Sequence, residues 1–205
     1  IHGKAETEMD AGVTIVGKTE FQPKGTWVVL DTKLDTKSQA KDTAQAKDTA
    51  RVWSLEDGAM VTELKGHNDG VVAVCTTPDG KHVITGSKDK TARVWSLEDG
   101  AMVKELKGHD DGVVAVCTTP DGMHVITGSK DTTARVWLLE DGTMVKELKG
   151  HSGGVNSVCT TADGKHVITG SEDKTARVWS LEDGAMVKEI KGHSGGVVSV
   201  CTTPD

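Results

Sequence analysis

Apolar and polar positions in this chain fall into short runs. One stretch sets the pattern. A Val- and Thr-rich run at Val71–Thr76 is stopped by Pro78-Asp79-Gly80, and a second run over 82–85 is stopped by Gly86-Ser87. A third run, Thr91–Ser96, ends at Glu98-Asp99-Gly100, and a fourth, over 102–106, ends at Gly108-His109. β-Branched residues in runs this short, bounded by Gly, Pro and Asp, predict strands. No window carries the 3.6-residue periodicity of an amphipathic helix. Four strands in series, joined by tight turns, predict an antiparallel meander.

The pattern then repeats with a step of 42 residues. His67, His109, His151 and His193 keep that step, as do Trp53, Trp95, Trp137 and Trp179, and Cys75, Cys117, Cys159 and Cys201. A fixed period of this length means one supersecondary unit copied along the chain. Stacked copies form one architecture, which overrules the one or two ordinary domains that 205 residues would suggest.

The repeated wording is Gly-His, then a Pro-Asp-Gly turn, then Thr-Gly-Ser-x-Asp-x-Thr-x-Arg-Val-Trp. It resembles the WD-repeat family of β-propellers, over residues 49–205. The Trp is followed by Ser96, Leu138 or Ser180 where the family's name would have Asp, and one turn reads Ala162-Asp163-Gly164. The resemblance implies an all-β fold: a β-propeller of four-stranded antiparallel blades, here an incomplete ring of about four blades plus one strand. It also implies a hydrogen-bonded quartet in each full blade. By position these are His67, Thr85, Asp89 and Trp95; His109, Thr127, Asp131 and Trp137; and His151, Thr169, Asp173 and Trp179. A buried imidazole and a buried carboxylate are costly alone and tolerable when each meets a partner.

Residues 1–48 lack the Gly-His and Thr-Gly-Ser signals. Their likeness to the repeat is partial: Ala11-Gly12-Val13 parallels Asp69-Gly70-Val71, and Pro23 to Val29 parallels Pro78 to Ile84. They are expected to form the divergent part of a degenerate first blade, with strands over 13–19 and 26–31 and an enlarged loop over 34–50. The alternative is an unpaired tail. The first blade is expected to lack an intact quartet, because Thr85 has no counterpart there. Residues 193–205 should add one more first strand. The chain starts at Ile1 and stops at Asp205 inside a repeated turn, so both ends read as cut. Three closures stay open: continuation past Asp205, two chains sharing an eight-blade ring, or tight closure of one chain.

Composition narrows the function. One Phe and no Tyr leave Val and the repeated Trp to supply the core. Net charge is −7 with basic residues spread through the copies, which argues against a nucleic-acid groove. No apolar run approaches the roughly 20 residues of a membrane span. The four cysteines sit at one equivalent position, so rotated copies should not face each other. Four free, buried thiols and an intracellular, cytoplasmic (reducing) location are expected.

His, Thr and Asp imitate a hydrolase triad, but catalytic sets are singular and these are repeated and tied to Trp. No catalytic residue is assigned. No metal site is expected either, since Cys-x-x-Cys spacing is absent and a tetrahedral site needs four converging ligands; no cofactor is implied. The expected role is a non-catalytic scaffold that binds other proteins in a multiprotein assembly. The alternative is a self-assembling unit whose open blades pair with another copy. The resemblance puts a partner surface on the rim where the Gly-His loops and Asp-bearing turns emerge. There it would hold Asn68, Asp69, Lys88, Asp110, Asp111, Lys130, Ser152, Glu172 and Ser194.

Overall fold

Tight turns bring the predicted runs back beside one another, and the runs pair as strands. The computed structural model describes residues 26–30, 48–54 and 56–203. Blade one is a three-stranded sheet of β1 (Thr26–Leu30), β2 (Thr49–Ser54) and β3 (Met60–Lys65). Blade two holds β4 (Val71–Thr76), β5 (His82–Ser87), β6 (Thr91–Ser96) and β7 (Met102–Lys107). Blade three holds β8 (Val113–Thr118), β9 (His124–Ser129), β10 (Ala134–Leu138) and β11 (Met144–Leu148). Blade four holds β12 (Val155–Thr160), β13 (His166–Ser171), β14 (Ala176–Ser180) and β15 (Met186–Ile190). Each sheet is an antiparallel meander in chain order. The described elements contain no helix, hence none long and apolar enough to cross a membrane.

The register repeats as faithfully as the sequence. Thr85 faces Arg93 across β5 and β6, and Val83 faces Trp95. The ladder shifts by one between Val94 and Trp95, and again between Val136 and Trp137 and between Val178 and Trp179. An irregularity conserved in place from blade to blade re-aims one side chain in each copy, here at the Trp. In blade one, Val29 faces Arg51 and Trp27 faces Trp53. Val29 therefore stands at the register position of Thr85 and brings no hydroxyl to it. The expected first strand over 13–19 and the loop over 34–47 lie outside the described residues.

Apolar burial happens between blades. Ala50, Val52 and Leu64 of blade one pack against Val71, Val74, Val83 and Trp95 of blade two. Cys75, Ile84, Val94 and Leu106 of blade two meet Val113, Val125 and Trp137 of blade three. Ala115, Ile126, Val136 and Leu148 of blade three meet Val155, Val158, Val167 and Trp179 of blade four. Trp95, Trp137 and Trp179 thus each press on the blade before their own. A buried indole removes about 200 Å² from water, worth roughly 5 kcal/mol of transfer free energy. Successive first strands are also stitched by hydroxyls: Thr118 Oγ1 donates to the Thr76 carbonyl (3.2 Å), and Thr160 Oγ1 to that of Thr118 (3.2 Å).

Among the described residues the blades form an arc and not a closed ring. The open side is visible at one position. Leu64, Leu106 and Leu148 are fully covered by the next blade, whereas the equivalent Ile190 is 42% exposed. The expected first strand of a fifth blade is not found: residues 191–203 carry no strand. A strand needs a ladder partner. This segment instead docks on blade four as the earlier first strands dock on theirs: Val197 and Val200 lie against Gly170, and Thr202 Oγ1 donates to the Thr160 carbonyl at 3.0 Å. The thiol expectation also needs correction. All four cysteines are free, but Cys75 alone is buried; Cys117 and Cys159 are half-buried and Cys201 is exposed. Among the described residues no blade follows Cys201.

Close stacking needs glycine at one point. A Cβ on Gly128 would lie 2.9 Å from Val155 Cγ1 and 3.0 Å from Val158 Cγ1. Gly128→Ala is therefore expected to destabilise the chain by about 1–3 kcal/mol through overpacking, read by urea unfolding. Gly195→Ala, where nothing lies within 4 Å, should leave the midpoint unchanged. Equal effects would contradict the interblade packing.

Candidate functional site

The polar chain in each full blade starts at the turn between the second and third strands. In blade two, Asp89 follows Ser87-Lys88, and its backbone N–H donates to Ser87 Oγ at 3.0 Å. Thr91 returns two bonds to Asp89 Oδ1, from its amide at 3.0 Å and its hydroxyl at 2.7 Å. The other carboxylate oxygen accepts the Asn68 amide at 2.9 Å and lies 2.8 Å from His67 Nδ1. His67 Nε2 is 2.8 Å from Thr85 Oγ1, and Trp95 Nε1 donates to that same oxygen at 2.8 Å.

Blades three and four reproduce the geometry. His109 meets Asp131 and Thr127 at 2.7 Å each, and Trp137 donates to Thr127 at 2.9 Å. His151 meets Asp173 and Thr169 at 2.7 Å each, and Trp179 donates to Thr169 at 2.8 Å. The structure therefore brings all twelve of these residues together, in three sets of four.

The donor directions follow from chemistry. An ionised carboxylate only accepts, so Nδ1 carries the histidine proton and gives it to Asp89. Nε2 is then an acceptor, and the Thr85 hydroxyl donates to it while accepting the indole N–H. Every polar atom of the set is engaged, each in the sense its chemistry allows. Burial alone would raise the Asp89 carboxyl, but the hydrogen bonds from Thr91, the Asn68 amide and His67 outweigh it and hold it at about 2. Asp131 behaves alike, held at about 2 against burial by Thr133 and His109. Asp173 is also lowered. Burial pushes His67, His109 and His151 below the ordinary value, with their Asp partners only partly opposing it. The imidazoles are thus neutral and interior. The hydroxyl beside each one is already engaged by an indole, an arrangement that braces a blade.

Three supports escaped the sequence reading. Thr91, Thr133 and Thr175 bond the carboxylates. Ser87, Ser129 and Ser171 donate to the carbonyls of Asp69, Asp111 and Gly153 and tie loop to turn. Arg93, Arg135 and Arg177 pair with Glu105, Glu147 and Glu189 at 2.8–2.9 Å. The strict Thr-x-Arg spacing was the available signal. The guanidinium also explains the Gly of Gly-His: Gly66 has φ +145, and a Cβ there would lie 2.6 Å from Arg93 Nη1.

Above the sets, loops and turns meet in one surface. The amides of Lys88, Lys130 and Glu172 donate to the carbonyls of Gly70, Gly112 and Gly154 at 2.9–3.0 Å. All nine rim residues named from the sequence are exposed. Lys130 spans two blades, reaching Asn156 Oδ1 at 2.9 Å and the Glu172 carboxylate. Asp69, Asp110 and Asp111 make the Gly-His loops of blades two and three acidic, with Lys88 and Lys130 in the turns beside them, while blade four offers Ser152 and Gly153 with Glu172 in its turn.

Known proteins were compared with this chain. The model of a family described as WD domain, G-beta repeat matches residues 58–96, 100–137 and 142–180, together more than half of the sequence. An uncharacterised WD repeat-containing protein of Schizosaccharomyces pombe is 36% identical over 61 residues, covering 30% of this chain and 15% of that protein. The match thus spans well under two thirds of that relative's length. The matched units are offset from the blades. Residues 58–96 take in the outer strand β3 of blade one and the three inner strands of blade two.

The acid response has a definite sign. The Asp contribution is complete above the unfolded value of 3.8 and is lost as pH falls through about 2. The His contribution is complete above 6.5 and is lost as pH falls through the lowered folded value. Both act in one direction. The melting temperature should be level from about pH 7 to 8 and fall on acidification below about 6.5. A rise on going from neutral to mildly acid pH would contradict neutral, buried imidazoles.

Proposed function

Because the chain belongs to the WD40 family of G-beta repeats, whose repeats generally mediate protein–protein interaction, we propose that it is a non-catalytic scaffold within a multiprotein assembly, with the loop rim as its docking surface. The observation that carries this is the contrast between interior and rim. The buried quartets are the same in three blades and have no free polar capacity. The rim above them is exposed and varies: Asn68-Asp69, Asp110-Asp111, then Ser152-Gly153. It holds no Trp, Tyr or Arg, the usual interface anchors, so recognition there is polar. The acidic half favours a basic partner surface, and such contacts govern association rate and specificity. The unpaired thiols favour a cytoplasmic setting, where thiols stay reduced.

A second reading rests on the side of blade four that Val197, Val200 and Thr202 cover only in part. Ile190 is 42% exposed and the half-buried Ile168 and Val178 share its sheet. Every other described copy of this face is covered by a blade of the same repeat. A second copy of the chain would bring the matching surface, and sedimentation equilibrium decides it: one monomeric mass at all concentrations rules the reading out.

For the scaffold, the test is affinity purification of the natural protein beside a variant carrying Asp69→Ser, Asp110→Ser and Asp111→Ser. These changes make the loops of blades two and three uncharged, as the Ser152-Gly153 loop of blade four is, and a melting curve checks that folding is kept. The expected result is a defined set of partners whose binding weakens about tenfold in the variant and loses its salt dependence. An unchanged partner set, or none with the natural protein, would overturn the assignment.

A further inference from the structure

The repeats are close to copies, which makes their differences informative. At one position blades two and four carry Lys81 and Lys165 and blade three carries Met123. At another they carry Ser96 and Ser180, and blade three carries Leu138. These are the places where blade three turns a polar residue of both neighbours into an apolar one. Neither change serves the core: Met123 is 62% exposed, and Leu138 is only half-buried. An exposed Met gains almost nothing from folding.

Both residues nevertheless meet at one place. They line a groove of about 480 Å³ between blades two and three, together with Val103, Leu139, His82 and Glu140. The groove recurs one blade on, at about 390 Å³, with His124, Leu181 and Glu182 in the equivalent positions. There the two variable places hold Lys165 and Ser180. The chain therefore contains its own control: the same concavity twice, polar in one copy and apolar in the other. The location is distinct from the rim. Strand β5 runs from His82 in the groove to Ser87 beside the rim's Lys88, so the two surfaces sit at opposite ends of the strands.

We propose that the groove between blades two and three binds a linear segment of another protein through one bulky apolar side chain, Leu, Met or Phe, flanked by a basic residue. The volume suits such a side chain, within the range of about 300–1,000 Å³ typical of ligand sites. Met123 supplies a flexible, polarisable wall of the kind that adapts to differing apolar partners. Charge selects the flank. Glu140 makes no ion pair among the described residues, and Asp141 next to it is ionised, its carboxyl lowered chiefly by the Thr143 amide and hydroxyl. Lys104 also lines the groove, and its charge reaches Asp141, whose carboxyl it helps to lower. Glu140 is then a carboxylate beside an apolar slot, which matches an apolar residue followed or preceded by Lys or Arg. This extends the protein-binding role proposed above to a second surface, and it stands or falls separately from the rim.

The probe is a phage-displayed library of random linear peptides, selected on the intact chain. The expected consensus is a single Leu, Met or Phe beside Lys or Arg. A selected peptide, measured by fluorescence anisotropy, should lose about tenfold or more in affinity for M123K/L138S, the loss expected for one large apolar side chain left in water. That variant carries the residues of blades two and four and should melt like the natural chain. The rim variant should bind the peptide normally. In the converse variant K165M/S180L the second groove becomes apolar, and the stoichiometry should rise from one peptide to two. Selection without an apolar anchor, equal affinity for M123K/L138S, or unchanged stoichiometry in K165M/S180L would overturn the proposal.

Discussion

The hydroxyl of Thr85, with its copies Thr127 and Thr169, is where two kinds of stabilisation are forced to coincide. On one side it accepts the indole N–H of a Trp whose ring is pressed into the interface with the preceding blade. On the other it donates to an imidazole that is tied to a carboxylate in the turn above. The indole can lie in an apolar interface only if its N–H finds an acceptor there. The imidazole can lie beneath the loops only if both its nitrogens are used. One oxygen meets both requirements, so the wedge between blades and the bracing of the loops are a single arrangement. In blade one the register position of that Thr is held by Val29, a residue with no hydroxyl.

Much of this architecture was legible in the repeat. Runs of Val, Ile and Thr became strands because each copy carries its own turns, and turn chemistry is local. The quartets were legible through the resemblance, since nothing local joins His67 to Asp89, 22 residues on. Thr91 and Ser87 went unread for the same reason: hydroxyls in turns are common, and their partners are reached through space. The misjudged features all depend on what lies beside a blade. The four cysteines are equivalent in sequence, yet Cys201, with no further blade beside it among the described residues, is exposed. Residues 193–203 match a first strand in wording and repeat its contacts to the preceding blade, through Val197, Val200 and Thr202, yet without a following strand beside them they form no ladder.

The offset between repeat and blade gives the fold its directionality. A unit such as 58–96 contributes an outer strand to one blade and three strands to the next, so every copy ties two sheets together. Each blade has one face that carries the Trp and another that receives the next one. Sequence differences between copies avoid both faces almost entirely and collect on the rim and in the groove at the opposite end. A rigid interior with two variable surfaces is the physical basis for reading the molecule as a platform for other proteins.

The account turns on whether the Trp–Thr hydrogen bond couples interblade packing to the polar chain. A double-mutant cycle with Trp137→Phe and Thr127→Val, followed by urea unfolding, measures this directly. Each single change leaves a buried polar group unpaired at a cost of about 1–3 kcal/mol, and the pair should be sub-additive by about 1 kcal/mol or more. Additivity within about 0.3 kcal/mol would show that the indole and the hydroxyl act independently, and would contradict the account.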